Sequence, residues 1–342
     1  MADLNFMTEA TAKEILSSLR LVSAYTKIYL EGLEIDSWAA LVEISKSGKA
    51  NTVMQVGDVI ESTYTVGTST YSCPWVVVAF RDVELEDGTS YENVPIIQML
   101  YTGHENIVFD PEETTEATEE IAQEGYYYCG FDGTNYTMLG LAAGAAIPYG
   151  SYTKVYKSLW NSANAIRYGL NNWRFSWARQ YLNHSGTGWA EPQHACDVLP
   201  SGAADKTGFM SYLPQDMVSA LHPIKIKTRR ANYMGGGYDE TFDTFWLPAT
   251  SEINIYNGNA DPEDGEPWPY YKELLESEEK LPAATYAALK KYAVNALTSA
   301  QTWWLRSCLF GYNYEWVVLS SGNVYNYYPR DGYRLAPACA II

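Results

Sequence analysis

The sequence reads as an α+β protein: antiparallel sheets, flanking helices and long loops, behind a small helical segment at the N-terminus. Three observations lead there. Helix patterns and strand patterns are segregated along the chain and do not alternate as in a βαβ protein. No Rossmann or P-loop glycine pattern opens a helix after a strand, which removes those nucleotide-binding architectures. And 342 residues at 47% hydrophobic and 19% charged make a globular chain with room for a sizeable core.

Residues 8–31 predict an amphipathic helix. Thr11-Ala12-Lys13-Glu14 fits a capping box, Ile15, Leu16, Leu19 and Val22 recur at helical spacing, and Gly32 is a stop. A second short helix is expected at 38–42. Residues 1–50 thus form a helical segment, read either as an attachment or oligomerisation element or as a helix packed on its own domain. From Val53 onward the pattern is that of strands. Residues 59–66 alternate, 75–80 form a continuous apolar run of buried-strand type, and Asp87-Gly88 marks a hairpin turn before the strand at 94–101. Residues 110–124 carry seven acids and no base, which reads as a solvated loop or helix face, with a cation site as the alternative.

Residues 126–129 predict another strand. Residues 158–183 predict a helix interrupted by a loop at 169–172, and 184–208 an irregular excursion. A short helix is expected over 214–221, and 224–229 alternate as a half-exposed strand. Gly235-Gly236-Gly237 is a flexible tip, and 245–248 return to the core. Residues 257–272 read as a polar insert. Pro282 can open a helix running to about residue 300, with Ala288, Leu289, Tyr292 and Leu297 on a stripe. Strands follow at 303–307, 316–320, 323–328 and 334–342, with Ser321-Gly322 as a tight turn between two of them.

Charge and cysteine usage narrow the partners. Lys and Arg number 23 against 41 Asp and Glu, a formal charge of −18, which argues against nucleic acid or anionic lipid. Five scattered Cys with no CxxC pair are not a disulfide framework and read as reduced, buried thiols. No run approaches the about 18 apolar residues of a membrane span, and the N-terminus lacks the basic and apolar regions of a secretory leader. The expectation is synthesis in the cytoplasm and no membrane insertion.

Recognisable catalytic patterns are scarce. The four His, at positions 104, 184, 194 and 222, form no HExxH or i, i+4 pair. His184 and His194 share an irregular segment with Cys196 and Asp197, which leaves a metal site there as one reading and ordinary loop residues as the other. No GxSxG elbow is present, and no spacing singles out a carboxylate pair. The end of the chain differs. Between Tyr312 and Tyr333, 22 residues hold six Tyr and three Asn, where about two Tyr would follow from the overall 29 in 342. Tyr offers large contact area at low rotamer cost and Asn adaptable hydrogen bonds, the composition of binding loops. A Tyr-rich strand packed in the core is the alternative.

Trp303-Trp304-Leu305-Arg306-Ser307, then Trp316-Val317-Val318-Leu319-Ser320-Ser321-Gly322-Asn323-Val324, then Tyr333-Arg334-Leu335-Ala336-Pro337-Ala338 resembles the closing sequence of C-type-lectin-like domains of the formylglycine-generating type. Upstream, Trp75 to Phe80, Asn172-Trp173 with Arg179 to Asn183, and Phe245-Trp246-Leu247-Pro248-Ala249-Thr250-Ser251-Glu252 look like that family's earlier motifs in the same order. The resemblance covers roughly residues 50–342. The Tyr/Asn-dense stretch falls where the variable proteins of diversity-generating retroelements, from phage and bacteria, place their hypervariable residues. It implies a C-type-lectin-like domain over 51–342 with a variable region in 303–342. The implied ligand-binding positions are Tyr312, Asn313, Tyr314, Glu315, Asn323, Tyr325, Asn326, Tyr327, Tyr328, Arg330, Asp331 and Tyr333. The implied scaffold positions are Trp303, Trp304, Leu305, Arg306, Trp316, Val317, Val318, Leu319, Gly322, Arg334, Leu335 and Pro337.

The function expected from this resemblance is non-enzymatic binding of a receptor by a diversifiable Tyr/Asn-rich surface, on a virion, such as that of a phage, or on a cell surface, with no cofactor. The ligand would be a protein or glycan on a target cell surface, and a homo-oligomer is a further expectation. Two alternatives stand beside it. One is a formylglycine-generating-type oxidoreductase using Cys308 and Cys339 with a metal. The other is a calcium-dependent, sugar-binding lectin with oxygen ligands from loops such as Asp261-Pro262-Glu263-Asp264.

Overall fold

The computed structural model describes residues 37–111, 120–131, 136–148, 152–156, 168–192, 199–200, 202–255, 264–276 and 286–342, and before them the backbone of three short strands. The chain is mixed α+β, mostly antiparallel sheet with few helices. Its central sheet has five strands in the order Val22–Ser23, Val59–Glu61, Trp75–Glu84, Ser90–Met99 and Ala338–Ala340. The first pairing is parallel and the others antiparallel.

The central hairpin follows from its sequence. Trp75 to Ala79 are all buried, as a continuous apolar run requires. The turn closes where Asp87-Gly88 predicts it: the Leu85 N–H donates to Thr89 O at 2.8 Å, the Gly88 N–H to Leu85 O at 3.0 Å, and the Asp87 carboxylate accepts the Thr89 N–H at 2.9 Å. The last strand is locked into the same sheet, with Ile341 and Ile342 fully buried behind it. A second hairpin, Ile224–Arg229 with Tyr238–Asp243, alternates buried and exposed positions as expected, around a tip where Gly235, Gly236 and Gly237 all take positive φ. A small sheet of Tyr126–Phe131, Tyr136–Leu139 and Tyr152–Tyr156 has its own core around Tyr128 and Tyr152.

The helix Trp38–Lys46 starts at Ser37, whose hydroxyl accepts the Ala40 N–H at 3.2 Å. Its Trp38, Leu41, Val42 and Ile44 enter the same core as Trp75 and Ile97, so this helix packs on the domain that follows it. Among the described residues no helix is long and apolar enough to cross a membrane.

Several expectations change. The helix over 8–31 does not extend through its second half, where Val22–Ser23 and Ile28–Leu30 are strands; Ile28–Leu30 pairs with Leu33–Ile35, both rich in aliphatic residues at alternate positions. Residues 1–21 lie outside the described residues. Of the helix expected from Pro282, residues 282–285 lie outside the described residues, and the remainder is instead a 3-10 turn, Ala287–Leu289, and a hairpin, Lys291–Ala293 with Ala296–Gln301. The helical stripe was misleading because that segment buries Lys291 and Ala293 on alternate positions and leaves Tyr292 outside. Of the stretch 158–183, the described part is a 3-10 turn at Trp173–Phe175 and a short helix at Trp177–Leu182, capped by the Ser176 hydroxyl on the Arg179 N–H. The polar insert at 257–272 ends in the core: Asp264 and Trp268 are buried, and Pro269–Glu276 is a helix.

Candidate functional site

The C-terminal segment forms a three-stranded antiparallel sheet in the order Trp303–Cys308, Glu315–Val318, Val324–Tyr327. Glu315–Val318 is central and all four of its residues are buried. Opposite it run Tyr327 across from Glu315, Asn326 from Trp316, and Tyr325 from Val317. Of the two edge strands, Trp303–Cys308 is buried throughout and Val324–Tyr327 is the one that meets solvent. The turn joining the two strands needs Gly322, which takes φ +93° and whose missing Cβ would lie 2.2 Å from the Tyr286 carbonyl oxygen.

The strands stand on a buried polar frame. The indole N–H of Trp303 donates to Leu289 O at 3.1 Å, and that of Trp304 to Ile107 O at 3.0 Å. Arg306, 2% exposed on its side chain, pairs with Glu252 and donates to Leu247 O at 2.9 Å and to Asp264 O. Glu252 also accepts the Ala249 N–H at 2.9 Å and pairs with Arg81 at 3.0 Å. The Ser307 hydroxyl donates to the Asp264 carboxylate at 3.0 Å and accepts the Thr250 N–H at 3.0 Å. Two segments that are far apart in sequence, 245–252 and 303–307, are thus one unit in space.

On this frame the tyrosines form two arrays. In the first, Tyr312 lies 6.3 Å from Tyr314, and Tyr314 lies 4.5 Å from Tyr328, the two hydroxyls hydrogen-bonding at 2.9 Å. Tyr328 stacks on Tyr168 at 4.0 Å, and the Arg330 guanidinium sits 4.6 Å from the Tyr168 ring centre. In the second, Tyr325 meets Tyr327 at 5.7 Å, Tyr327 meets Tyr333 at 5.2 Å, and Tyr333 meets Trp304 at 4.9 Å. Trp304 continues to Phe109 at 5.6 Å, which roots this array in the core. The hydrogen bond with Tyr314, then burial, raises the Tyr328 hydroxyl pKa to about 12, and burial raises Tyr333 to about 12. Both stay neutral, able to donate and accept, across the physiological range.

Buried Asn171 holds the loop that carries the first array. Its side-chain amide donates to Tyr312 O at 2.8 Å and Tyr314 O at 2.7 Å, and its carbonyl accepts the Tyr233 hydroxyl. Neither Asn171 nor Tyr168 is singled out by the sequence; Asn171 falls within and Tyr168 beside the loop expected at 169–172, and their roles depend on contacts about 140 to 160 positions away along the chain.

The structure divides the twelve expected ligand-binding positions. Tyr312 is 63% and Tyr325 54% exposed, and Arg330 is also exposed. Tyr314, Asn323, Asn326, Tyr327, Tyr328, Asp331 and Tyr333 are half-buried, with one side toward solvent. Asn313 and Glu315 are corrections: they are 6% and 0% exposed and belong to the frame. Glu315 faces inward because the central strand is covered on both sides. Neither of its carboxylate oxygens has a hydrogen-bond partner, and burial, with Asp264 adding to it and Arg306 opposing, raises its pKa well above the carboxylate range. Of the expected scaffold positions, Trp303, Trp304, Leu305, Arg306, Trp316, Val317, Val318, Gly322, Leu335 and Pro337 are buried, while Leu319 and Arg334 are half-buried.

The residues of the alternative chemistries are placed differently. Cys308 and Cys339 are free and buried, and burial pushes both thiols well up, against the thiolate a reactive cysteine requires. Their neighbours also differ: Cys308 lies by Glu315 and Asp264, Cys339 by Cys73. Of the loop expected to ligate calcium, Asp264 is buried and accepts the Arg229 N–H and the Ser307 hydroxyl; residues 261–263 lie outside the described residues. So do His194, Cys196 and Asp197. Asp110, at the head of the acidic run, is buried and accepts the Leu170 N–H at 2.6 Å, a correction to its expected solvated position. Residues 112–119 of that run lie outside the described residues. Among the described residues no group of three or more His, Cys, Asp or Glu is arranged to hold a metal ion.

The family model described as "Domain of unknown function (DUF6273)" matches residues 153–341. The chain belongs to this family. The match takes in the whole tyrosine-bearing sheet and the 245–252 segment that braces it, and the family description assigns neither a function. No curated protein and no solved structure matches the chain.

Proposed function

We propose that this DUF6273 protein is a non-enzymatic ligand-binding protein that displays a diversifiable, tyrosine-rich surface on a C-type-lectin-like scaffold. In this reading it resembles the variable proteins of diversity-generating retroelements and acts in receptor recognition from a virion or cell surface. The supporting observation is the separation of roles within 22 residues: Tyr312 and Tyr325 are exposed at the ends of two ring arrays, while the Glu315–Val318 strand between them is wholly buried. A binding surface that tolerates replacement needs that separation, because exposed substitutions mostly cost within about 0.5 kcal/mol and core ones several. The exposed rings supply contact area, and the half-buried hydroxyls and amides supply adaptable hydrogen bonds at low ordering cost.

The test is a library randomised at Tyr312, Tyr325, Asn326 and Arg330. Its members should keep the parent melting temperature to within a few degrees, whereas randomising Glu315 and Val317 should unfold most members. Broad loss of folding in the first library would refute the reading. The neighbouring DNA gives a second test: a reverse transcriptase gene and a near-copy of the last coding segment, with adenines at the varied positions, is the expected arrangement.

A further inference from the structure

A second cluster of polar groups lies away from the tyrosine surface, around the His104–Glu105 loop that follows the Ser90–Met99 strand. The Tyr64 hydroxyl and His104 Nδ1 are 3.0 Å apart, and Tyr212 stacks on Tyr64 at 5.3 Å and meets the His104 ring edge-on at 4.7 Å. Glu105 is used on both oxygens: one accepts the Tyr181 hydroxyl at 2.9 Å, the other pairs with Lys206 at 3.0 Å. Arg334 interacts electrostatically with Glu105, Tyr64 and Tyr181, yet its Nε and Nη1 are buried with no hydrogen-bond partner. Its chain neighbour Tyr333 packs instead on Trp304 and Tyr327, so the two residues serve different places.

We propose that this cluster is a binding site for a compact oxyanion, a carboxylate or a phosphate, received by the free donors of Arg334 with Lys206 at its rim. A guanidinium has five N–H donors and no means of shedding its charge, so buried donors without an acceptor call for a ligand. The carboxylate of the cluster, Glu105, is already committed to Tyr181 and Lys206. Charge points the same way. Glu105 offsets one of the two cations and His104 is held neutral, leaving one net positive charge in a chain whose total is −18. Burial lowers the His104 pKa, and Arg334 and Lys206 lower it further against the opposing effect of Glu105. The solvent side of the cluster is formed by Lys206, His104 and Glu105, whose side chains are 31%, 15% and 18% exposed. This site is independent of the tyrosine arrays and of the function proposed for them.

An incoming anion would offset the cations that depress His104, so the imidazole reports binding directly. The experiment follows the His104 ring resonances by NMR, assigned with His104→Gln, in full-length protein titrated separately with inorganic phosphate, with acetate and with chloride. A saturable shift and a rise in the His104 pKa with phosphate or acetate, but not chloride, is expected, and the arm that saturates identifies the oxyanion. Lys206→Gln, a change at a partly exposed side chain, should keep the fold and weaken binding severalfold; Arg334→Met should abolish it. No saturation by either oxyanion through the millimolar range overturns the proposal. So does an equal response in wild type and Lys206→Gln, which would mark an adventitious ion only.

Discussion

Replacing Lys291 by Met should remove a pH dependence from the stability of this fold. Lys291 lies at the start of the hairpin that packs beside Trp303, is 5% exposed, and donates from Nζ to Met99 O at 2.8 Å and Leu100 O at 3.3 Å. Its ammonium position is 5.6 Å from the Trp303 ring centre. Burial lowers its pKa from 10.5 to about 7. In the unfolded chain the amine is protonated up to about pH 10.4. Between the two values the unfolded state binds one proton more than the folded state, so stability rises with pH, by at most about 1.4 kcal/mol per pH unit. Burying the charged form fully corresponds to about 5 kcal/mol below pH 7, and the part lost between pH 9 and pH 7 is about 2 kcal/mol. Met keeps the length and apolar stem of Lys but has no proton to bind. Urea unfolding of both proteins at pH 7, 8 and 9, followed by Trp fluorescence, gives the comparison. The gap between Lys291→Met and wild type should move in favour of Met by about 2 kcal/mol as pH falls from 9 to 7. The two missing hydrogen bonds offset the curves by a constant and do not alter this slope. Parallel pH profiles would refute the reasoning, since they would mean that Lys291 titrates alike folded and unfolded.

Two further predictions concern the frame under the tyrosines. Gly322→Ala should destabilise the protein by about 2 kcal/mol or more, because a Cβ at positive φ is strained and here also meets the Tyr286 carbonyl; an unchanged melting temperature would show that the turn can reform. Glu315→Gln should lose the pH response of a buried acid. A raised folded pKa leaves wild type unpenalised below about pH 4.3 and progressively less stable above it, so the variant should gain on wild type between pH 4 and pH 7 in chemical denaturation; a pH-independent difference would place an ionised Glu315 in the core.

Much of the frame was legible in the sequence because its signals are local. A short helix is expected at 38–42 and forms, Asp87-Gly88 turns its hairpin, 224–229 alternate, and Trp316-Val317-Val318 is an apolar run that a buried central strand demands. Where local signals competed, they misled. Residues 282–300 carry a helical stripe, yet 291–301 form a hairpin in which buried Lys291 donates to Met99 O and Leu100 O, contacts that the local pattern does not contain. Asn313 and Glu315 have the polarity of surface residues, and only the covering of their strand and loop puts them inside.

By itself the sequence determined the α+β class, the strand-bearing motifs and the concentration of tyrosine near the end of the chain. Periodicity and composition carry those properties directly. Only the tertiary structure decided which tyrosines face solvent, how Tyr168 and Asn171 join them, and that Arg306 is braced by Glu252. It alone also brought Arg334 beside His104 and Glu105 with two donors unused. The physical reason is the same throughout: burial and pairing are set by what a side chain meets across the fold, and those partners lie dozens to hundreds of residues away.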